Sequence, residues 1–233
     1  MRTIGLIGGM SWQSSKTYYE RINQLVADRL GGAHSASLIV NSLDFAPIEQ
    51  MQREGRWKEA GAALADAAQA LERAGAQVIA IGANTMHKVA HQVMAATQLP
   101  LLHIGDALAD GLRRDGRSRP LLLGTRYTME DPFMRDHLAV KGIAAVVPGK
   151  ADRDGLHAII FDELIHGVVI DASRKRVREM IAAADEQEAD SVIFGCTEIG
   201  MLFPPTDAGL PGYDTLDLHA HALVDFALGD AQP

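Results

Sequence analysis

Two short apolar runs, each closing in a glycine turn and opening a helical pattern, recur in order in the two halves of this chain. No other feature narrows its fold so much. Ile4-Gly5-Leu6-Ile7-Gly8-Gly9-Met10 is echoed by Leu121-Leu122-Leu123-Gly124-Thr125-Arg126-Tyr127-Thr128-Met129. Gln77-Val78-Ile79-Ala80-Ile81-Gly82-Ala83-Asn84-Thr85 is echoed by Asp190-Ser191-Val192-Ile193-Phe194-Gly195-Cys196-Thr197-Glu198. Gly124 stands 116 residues after Gly8, and Cys196 stands 113 after Ala83, so the two offsets nearly agree. A strand that runs through a glycine turn into a helix is the building unit of a parallel sheet covered by helices. Repeating it predicts two similar α/β halves of about 100 residues each, with a ligand site in the cleft between them.

The rest of the pattern agrees with an α/β chain. Apolar runs predict strands at 3–7, 37–41, 77–81, 101–104, 120–123, 143–147 and 191–194. Longer amphipathic stretches predict helices near 14–30, 56–74, 85–96, 106–114, 129–140, 155–166, 172–188 and 215–228. In the third of these, Met86, Val89, Ala90, Val93 and Met94 share one face. The expected first domain comprises residues 1–100 plus 210–233, and the second comprises 101–209. With 233 residues, 47% of them hydrophobic, such a chain can bury a large core.

Several function classes have no support. A net charge of −8 and 5% aromatic residues argue against a nucleic-acid partner. The basic clusters at Arg113-Arg114-Arg117-Arg119 and Arg174-Lys175-Arg176-Arg178 read as solvated helix faces. No apolar run reaches the ~18 residues of a membrane span, and the first residues read straight into a strand, without a signal-peptide pattern. One cysteine excludes an internal disulfide and any Cys-built metal cluster, and fits a cytoplasmic protein. The glycines at 5, 8 and 9 do not fit the dinucleotide fingerprint, and the phosphate-loop and serine-elbow motifs are absent. His87 and His91, four apart, lack a matching carboxylate, so no metal is expected.

The chemistry gathers at the two echoed junctions. Cys196 follows an apolar strand, at a carboxyl end where open sheets place their ligands. A helix beginning there would lower the thiol's pKa, and the expectation is a thiolate available near neutrality. The alternative is a buried structural cysteine. At the matching junction Asn84 and Thr85 offer an amide and a hydroxyl, suited to capping a helix or to holding a carboxylate. The residue matching Cys196 is Ala83, which neither donates nor accepts a proton.

Taken together, Ile4 to Trp12, Asn84-Thr85-Met86-His87, Leu123 to Met129, Gly195-Cys196-Thr197-Glu198-Ile199-Gly200 and Asp214-Thr215 resemble the aspartate/glutamate racemase superfamily. The likeness is strongest to its bacterial branch of broad or L-aspartate/L-glutamate specificity. It implies two Rossmann-like α/β domains related by a pseudo-two-fold axis, no pyridoxal phosphate or other cofactor, an amino-acid substrate and a homodimer. The implied mechanism removes the α-proton on one face of Cα and returns a proton on the other. Cys196 matches the second acid/base, and Ala83 falls where the family has the first, a cysteine or in some members a threonine. Asn84, Thr85 and Thr197 match carboxylate-binding positions, and Met10, Gln52 and Thr125 match pocket-lining ones. Two departures stand out. Ala83, whether inherited or introduced, leaves the pair incomplete. The basic residue that meets a side-chain carboxylate is missing from Phe161-Asp162-Glu163-Leu164-Ile165-His166, which leaves Arg53 as the candidate. The implied alternatives are a single-cysteine decarboxylase of the arylmalonate type and a catalytically silent amino-acid-binding protein.

Overall fold

β1 (Ile4–Gly8) is buried along its whole length between two parallel neighbours, β2 (Leu38–Ser42) and β3 (Val78–Ile81), in a computed structural model that describes residues 1–230. Ile4 stands opposite Leu38 on one side and Val78 on the other. Parallel neighbours need crossovers, and the chain supplies them as helices. α1 (Trp12–Leu30) joins β1 to β2, while α2 (Phe45–Arg53) and α3 (Trp57–Arg73) join β2 to β3. After β3 come a 3-10 turn at Thr85–Val89 and α4 (Ala90–Ala96). Ile7, Ile79 and Ile81 of the sheet bury their side chains with Leu64, Leu71 and Val93 of the helices.

α5 (Ile104–Arg114) leads to a second three-stranded sheet. Its central strand, β5 (Ser191–Gly195), lies parallel to β4 (Pro120–Gly124) and to β6 (Gly212–Asp214). Between β4 and β5 run α6 (Arg126–Glu130), α7 (Pro132–Ala139), α8 (Lys150–Ala158) and α9 (Asp171–Asp185). Leu121, Leu123, Val192 and Phe194 pack with Leu156, Ile160, Val177 and Ile181. α10 (Thr215–Leu228) closes the described chain. By its contacts the chain divides into one unit of Met1–Ile104 with the segment from His219 onward, and another of Gly105–Leu218. Each is a Rossmann-like α/β unit, a parallel sheet flanked by helices. No described helix is long and apolar enough to cross a membrane.

The two sheets match strand for strand along the echo in the sequence. In the first, β2, β1 and β3 are followed by a single bridge from Ile79 to Leu101. In the second, a single bridge from Val146 to Leu121 precedes β4, β5 and β6. Each therefore has four positions, one edge being a full strand and the other a single bridge.

That arrangement corrects two expected strands. Residues 101–104 and 143–147 each contribute one bridge, because α5 begins at Ile104 and because Pro148, having no N–H, cannot extend a ladder. The helix expected at 85–96 opens as a 3-10 turn, and the one at 129–140 breaks before Pro132. The one at 155–166 begins instead at Lys150 and passes through a π-helical turn at Ile159–Glu163. α2 and β6 have no counterpart among the expected elements.

Candidate active site

In the first unit, the turn after β1 is held by Gly9, whose φ of +88° favours glycine. A side chain there would overlap the backbone N–H and carbonyl of Leu43. Met10 follows, buried in the same cluster as Ile7 and Met86. Across the sheet, Ala83 stands at the carboxyl end of β3, and Asn84 and Thr85 are buried as the chain enters the 3-10 turn. The Ile104 N–H donates to His87 Nε2 at 3.2 Å, so Nδ1 carries the hydrogen and donates to the Ala83 carbonyl oxygen at 2.9 Å. Gln52, buried on α2, reaches the same turn, its Nε2 donating to Met86 Sδ at 3.0 Å. Met10, Gln52, Ala83, Asn84 and Thr85 thus belong to one end of the first sheet. Arg53 does not join them. Its side chain is 67% exposed and pairs with Glu49 at 3.6 Å.

In the second unit, Gly124 is the register partner of Gly195, so the residues after them, Thr125 and Cys196, leave neighbouring strands. Thr125 caps α6, its Oγ1 accepting from the Thr128 N–H at 3.3 Å. Cys196 is in extended conformation, and its side chain is buried among Ile199, Leu202 and Phe203. Its Sγ–H donates to Glu198 Oε2 at 2.9 Å, and Thr197 Oγ1 donates to the same oxygen at 2.7 Å. Glu198 is itself buried, only 6% exposed.

This geometry overturns the expected low-pKa thiol. Burial pushes the Cys196 thiol well above its ordinary value, and the charge and hydrogen bond of Glu198 add to that, as does the charge of Asp214. The Glu198 backbone N–H, hydrogen-bonded to the sulfur, opposes them without reversing the shift, and no α-helix begins here to add to it. The turn at Thr197–Met201 is a five-residue 3-10 helix with an acid in its first turn. The resting group is a thiol.

For metal chemistry, the second unit brings Asp106 within 3.0 Å of His137 Nε2, but Lys141 Nζ lies 2.9 Å from the same carboxylate. A cation already neutralises that acid, so the pair reads as an ion-pair network.

The sequence matches the Asp/Glu/hydantoin racemase family over residues 7–223, a span that includes all four echoed junctions. The chain belongs to that family. A crystal structure from Yersinia pestis assigned as an Asp/Glu racemase is 47% identical, with 98% of this chain and 100% of that one covered and a TM-score of 0.91. An aspartate racemase homologue from Pyrococcus horikoshii OT3 is 33% identical, with 98% and 100% covered and a TM-score of 0.85. More distantly, the Gly74Cys mutant of arylmalonate decarboxylase shares the fold, at 16% identity, 99% and 95% coverage and a TM-score of 0.60.

Within this racemase-family chain, two side chains near the candidate residues have no counterpart among those singled out from the sequence. Met86 is the contact that seats Gln52, and Glu198 is the partner of Cys196. Glu198 was in plain view, two residues after the cysteine. What pointed to it was only its type, an acid in an otherwise apolar and hydroxylic stretch.

Proposed function

We propose that this chain is a cofactor-free amino-acid racemase of the aspartate/glutamate class, acting as a homodimer, whose acid/base pair is reduced to one thiol. Cys196 exchanges a proton with substrate Cα, and Ala83 stands at the position of the absent second group. Asn84, Thr85 and Thr197, with nearby backbone N–H groups, stand at the positions that hold the α-carboxylate. The Thr197 hydroxyl hydrogen is given to Glu198, so Asn84, Thr85 and the backbone N–H groups supply the donors that stabilise the charge developing as the α-proton leaves. Met10, Gln52 and Thr125 line the pocket. The observation that carries this reading is Cys196 itself, the sole cysteine, at the carboxyl end of a central strand and hydrogen-bonded to a buried acid. Family membership supports racemase or isomerase chemistry for the chain.

The substrate side chain follows from the first unit. Gln52, a neutral amide, is the buried polar end of α2, while Arg53 is turned to solvent and paired with Glu49. Specificity broader than aspartate is the reading those two residues favour.

The test is proton exchange in D2O with L-glutamate, L-aspartate and neutral amino acids, followed by NMR together with chirality. Exchange that disappears in Cys196→Ala supports the thiol as the reacting group, and exchange unchanged by that substitution removes it. Ala83→Cys or Ala83→Thr is expected to raise racemisation about 10²-fold or more, the usual scale for a positioned acid or base. A second reading is favoured by the protonated state of Cys196 with a methyl at position 83. A thiol that only donates would suit a decarboxylase, protonating the carbanion left by loss of CO2. Release of CO2 from an arylmalonate, with no α-proton exchange on any amino acid, would select it.

A further inference from the structure

We propose that Glu198 is a positioning residue for Cys196, holding the Sγ–H by a hydrogen bond so that sulfur meets the substrate as a proton donor. The inference takes Cys196 as the reacting group from the reading above and adds what sets its protonation and aim.

Oε2 of Glu198 accepts two hydrogens, one from Cys196 Sγ at 2.9 Å and one from Thr197 Oγ1 at 2.7 Å. One carboxylate oxygen thus engages both the thiol and the hydroxyl. Thr197 is bonded one residue away and orients the carboxylate, and the carboxylate orients the thiol. Glu198 also has little freedom to turn away, because it is 6% exposed and Ile199 beside it is fully buried. In so dry a place an acid and a thiol separated by 2.9 Å do not both ionise, since the second charge would face the first with little water to screen it.

The other titratable group that acts on the sulfur is Asp214, at the end of β6. Its Oδ1 is engaged by the backbone N–H groups of Leu216 at 2.8 Å and Asp217 at 3.3 Å, where it caps α10. Asp214 thus adds negative field, whereas Glu198 touches the thiol. Both side chains are acids and favour S–H over S⁻, against the Glu198 backbone N–H, which favours S⁻.

The step this arrangement performs is a proton delivery. In α-proton exchange the thiol first gives its proton to water, and the thiolate takes the substrate α-proton, S–H forming as the C–H pair stays on Cα. After S–H exchanges with solvent, the S–H bond breaks with its electron pair left on sulfur and the carbanion takes that proton to form Cα–H. Water returns a proton to the thiolate. The role of Glu198 is to add its charge and hydrogen bond to burial in keeping the thiol the resting form.

Because the chain has one cysteine, alkylation reports on this residue alone. The experiment measures the pH dependence of iodoacetamide labelling in the wild type, Glu198→Gln and Asp214→Asn, with Cys196→Ser as the blank and circular dichroism as the fold check. The wild-type midpoint is expected above the ordinary thiol value of about 8.5. In Glu198→Gln it falls by about one pH unit or more, so labelling near neutrality is about tenfold faster. Asp214→Asn moves it less. The proposal is overturned by a wild-type midpoint at or below about 8.5, by a folded Glu198→Gln with an unmoved midpoint, or by a larger shift in Asp214→Asn. If Glu198→Gln does not fold, Glu198→Asp, which keeps the charge but draws it back from the sulfur, takes its place: the midpoint should fall by a smaller amount, and an unmoved midpoint overturns the proposal. Labelling needs no substrate, so it separates the two claims. Absent proton exchange removes the racemase reading and leaves Glu198 judged by the labelling of Cys196. Where exchange is present, its pH limb must shift in Glu198→Gln by the same amount as labelling, and a limb that stays put overturns the positioning role.

Discussion

Gly195 decides where the thiol stands. A Cβ at this position would lie 2.6 Å from the Leu123 carbonyl oxygen and 3.0 Å from Leu122 Cδ1, so alanine forces β5 away from β4 at the point where Cys196 leaves the sheet. Overpacking of this kind typically costs about 1–3 kcal/mol. Gly195→Ala is expected to lower unfolding stability by that amount in urea titrations and to speed alkylation of Cys196, whose cover opens with the strand. Stability within about 0.5 kcal/mol of wild type, the range of an ordinary surface change, would show that the strand end yields freely. The position of the cysteine was legible in the sequence, because an apolar β-branched run closed by glycine announces a strand end. Its protonation was not. Helix-dipole reasoning predicts a lowered pKa from local sequence, whereas burial and a side chain folding back from Glu198 decide the opposite, and both arise only in three dimensions.

Strands and long helices were legible from periodicity because each buries one continuous face, as β1, β3, β4 and β5 do along their whole length. The short elements were not. α2 carries Pro47 in its third position, which reads as a break in the sequence but falls in a first turn, where no N–H is required. β6 is three residues long, too short for an alternation to register. Yet the second sheet also depends on a device outside any element. The Asp190 carboxylate, just before β5, accepts from the Ser118 N–H at 2.6 Å, the Arg119 N–H at 2.9 Å and the Ser191 hydroxyl at 2.7 Å. It thereby pins the entry of β4 to the entry of β5, where Pro120 pairs with Ser191. Those hydrogen bonds, with the field of Arg117, hold the Asp190 carboxyl below the usual carboxylate range in spite of its partial burial. Asp190→Ala leaves the two amides to water and is expected to cost about 1–2 kcal/mol, the low end for charge-assisted bonds at a partly exposed site. Hydrogen exchange checks it directly, since amide protection should fall in β4 and β5 and stay unchanged in β1 to β3. Uniform loss across both sheets would contradict a local clamp.

At the scale of the molecule, the first unit is assembled from two distant stretches of chain, and one histidine joins them. His219, fully buried, receives the Tyr18 hydroxyl hydrogen at Nδ1 at 2.9 Å and donates from Nε2 to the Leu102 carbonyl oxygen at 2.9 Å. Nothing in Leu218-His219-Ala220-His221 marks this residue apart from the other eight histidines, since its burial depends on α1 and on the segment before α5. The neutral ring satisfies both partners, and burial lowers its pKa from 6.5 to about 4, with the Leu102 carbonyl opposing the shift. The unfolded chain therefore takes up a proton between those values while the folded one does not. The contribution to stability is complete above pH 6.5 and is lost as pH falls toward 4. At pH 5 the loss amounts to about 2 kcal/mol. His157 in the second unit is shifted the same way, by burial and by Arg126, so the wild-type slope alone does not isolate His219. The difference from a non-titrating variant does. His219→Gln is less stable at neutral pH, but its urea midpoint should decline less steeply than wild type between pH 6.5 and 4.5, so the two curves converge on acidification. Curves that run parallel through that interval would mean that the ring is protonated in the folded protein, and that the junction of the two stretches is held by its neighbours instead.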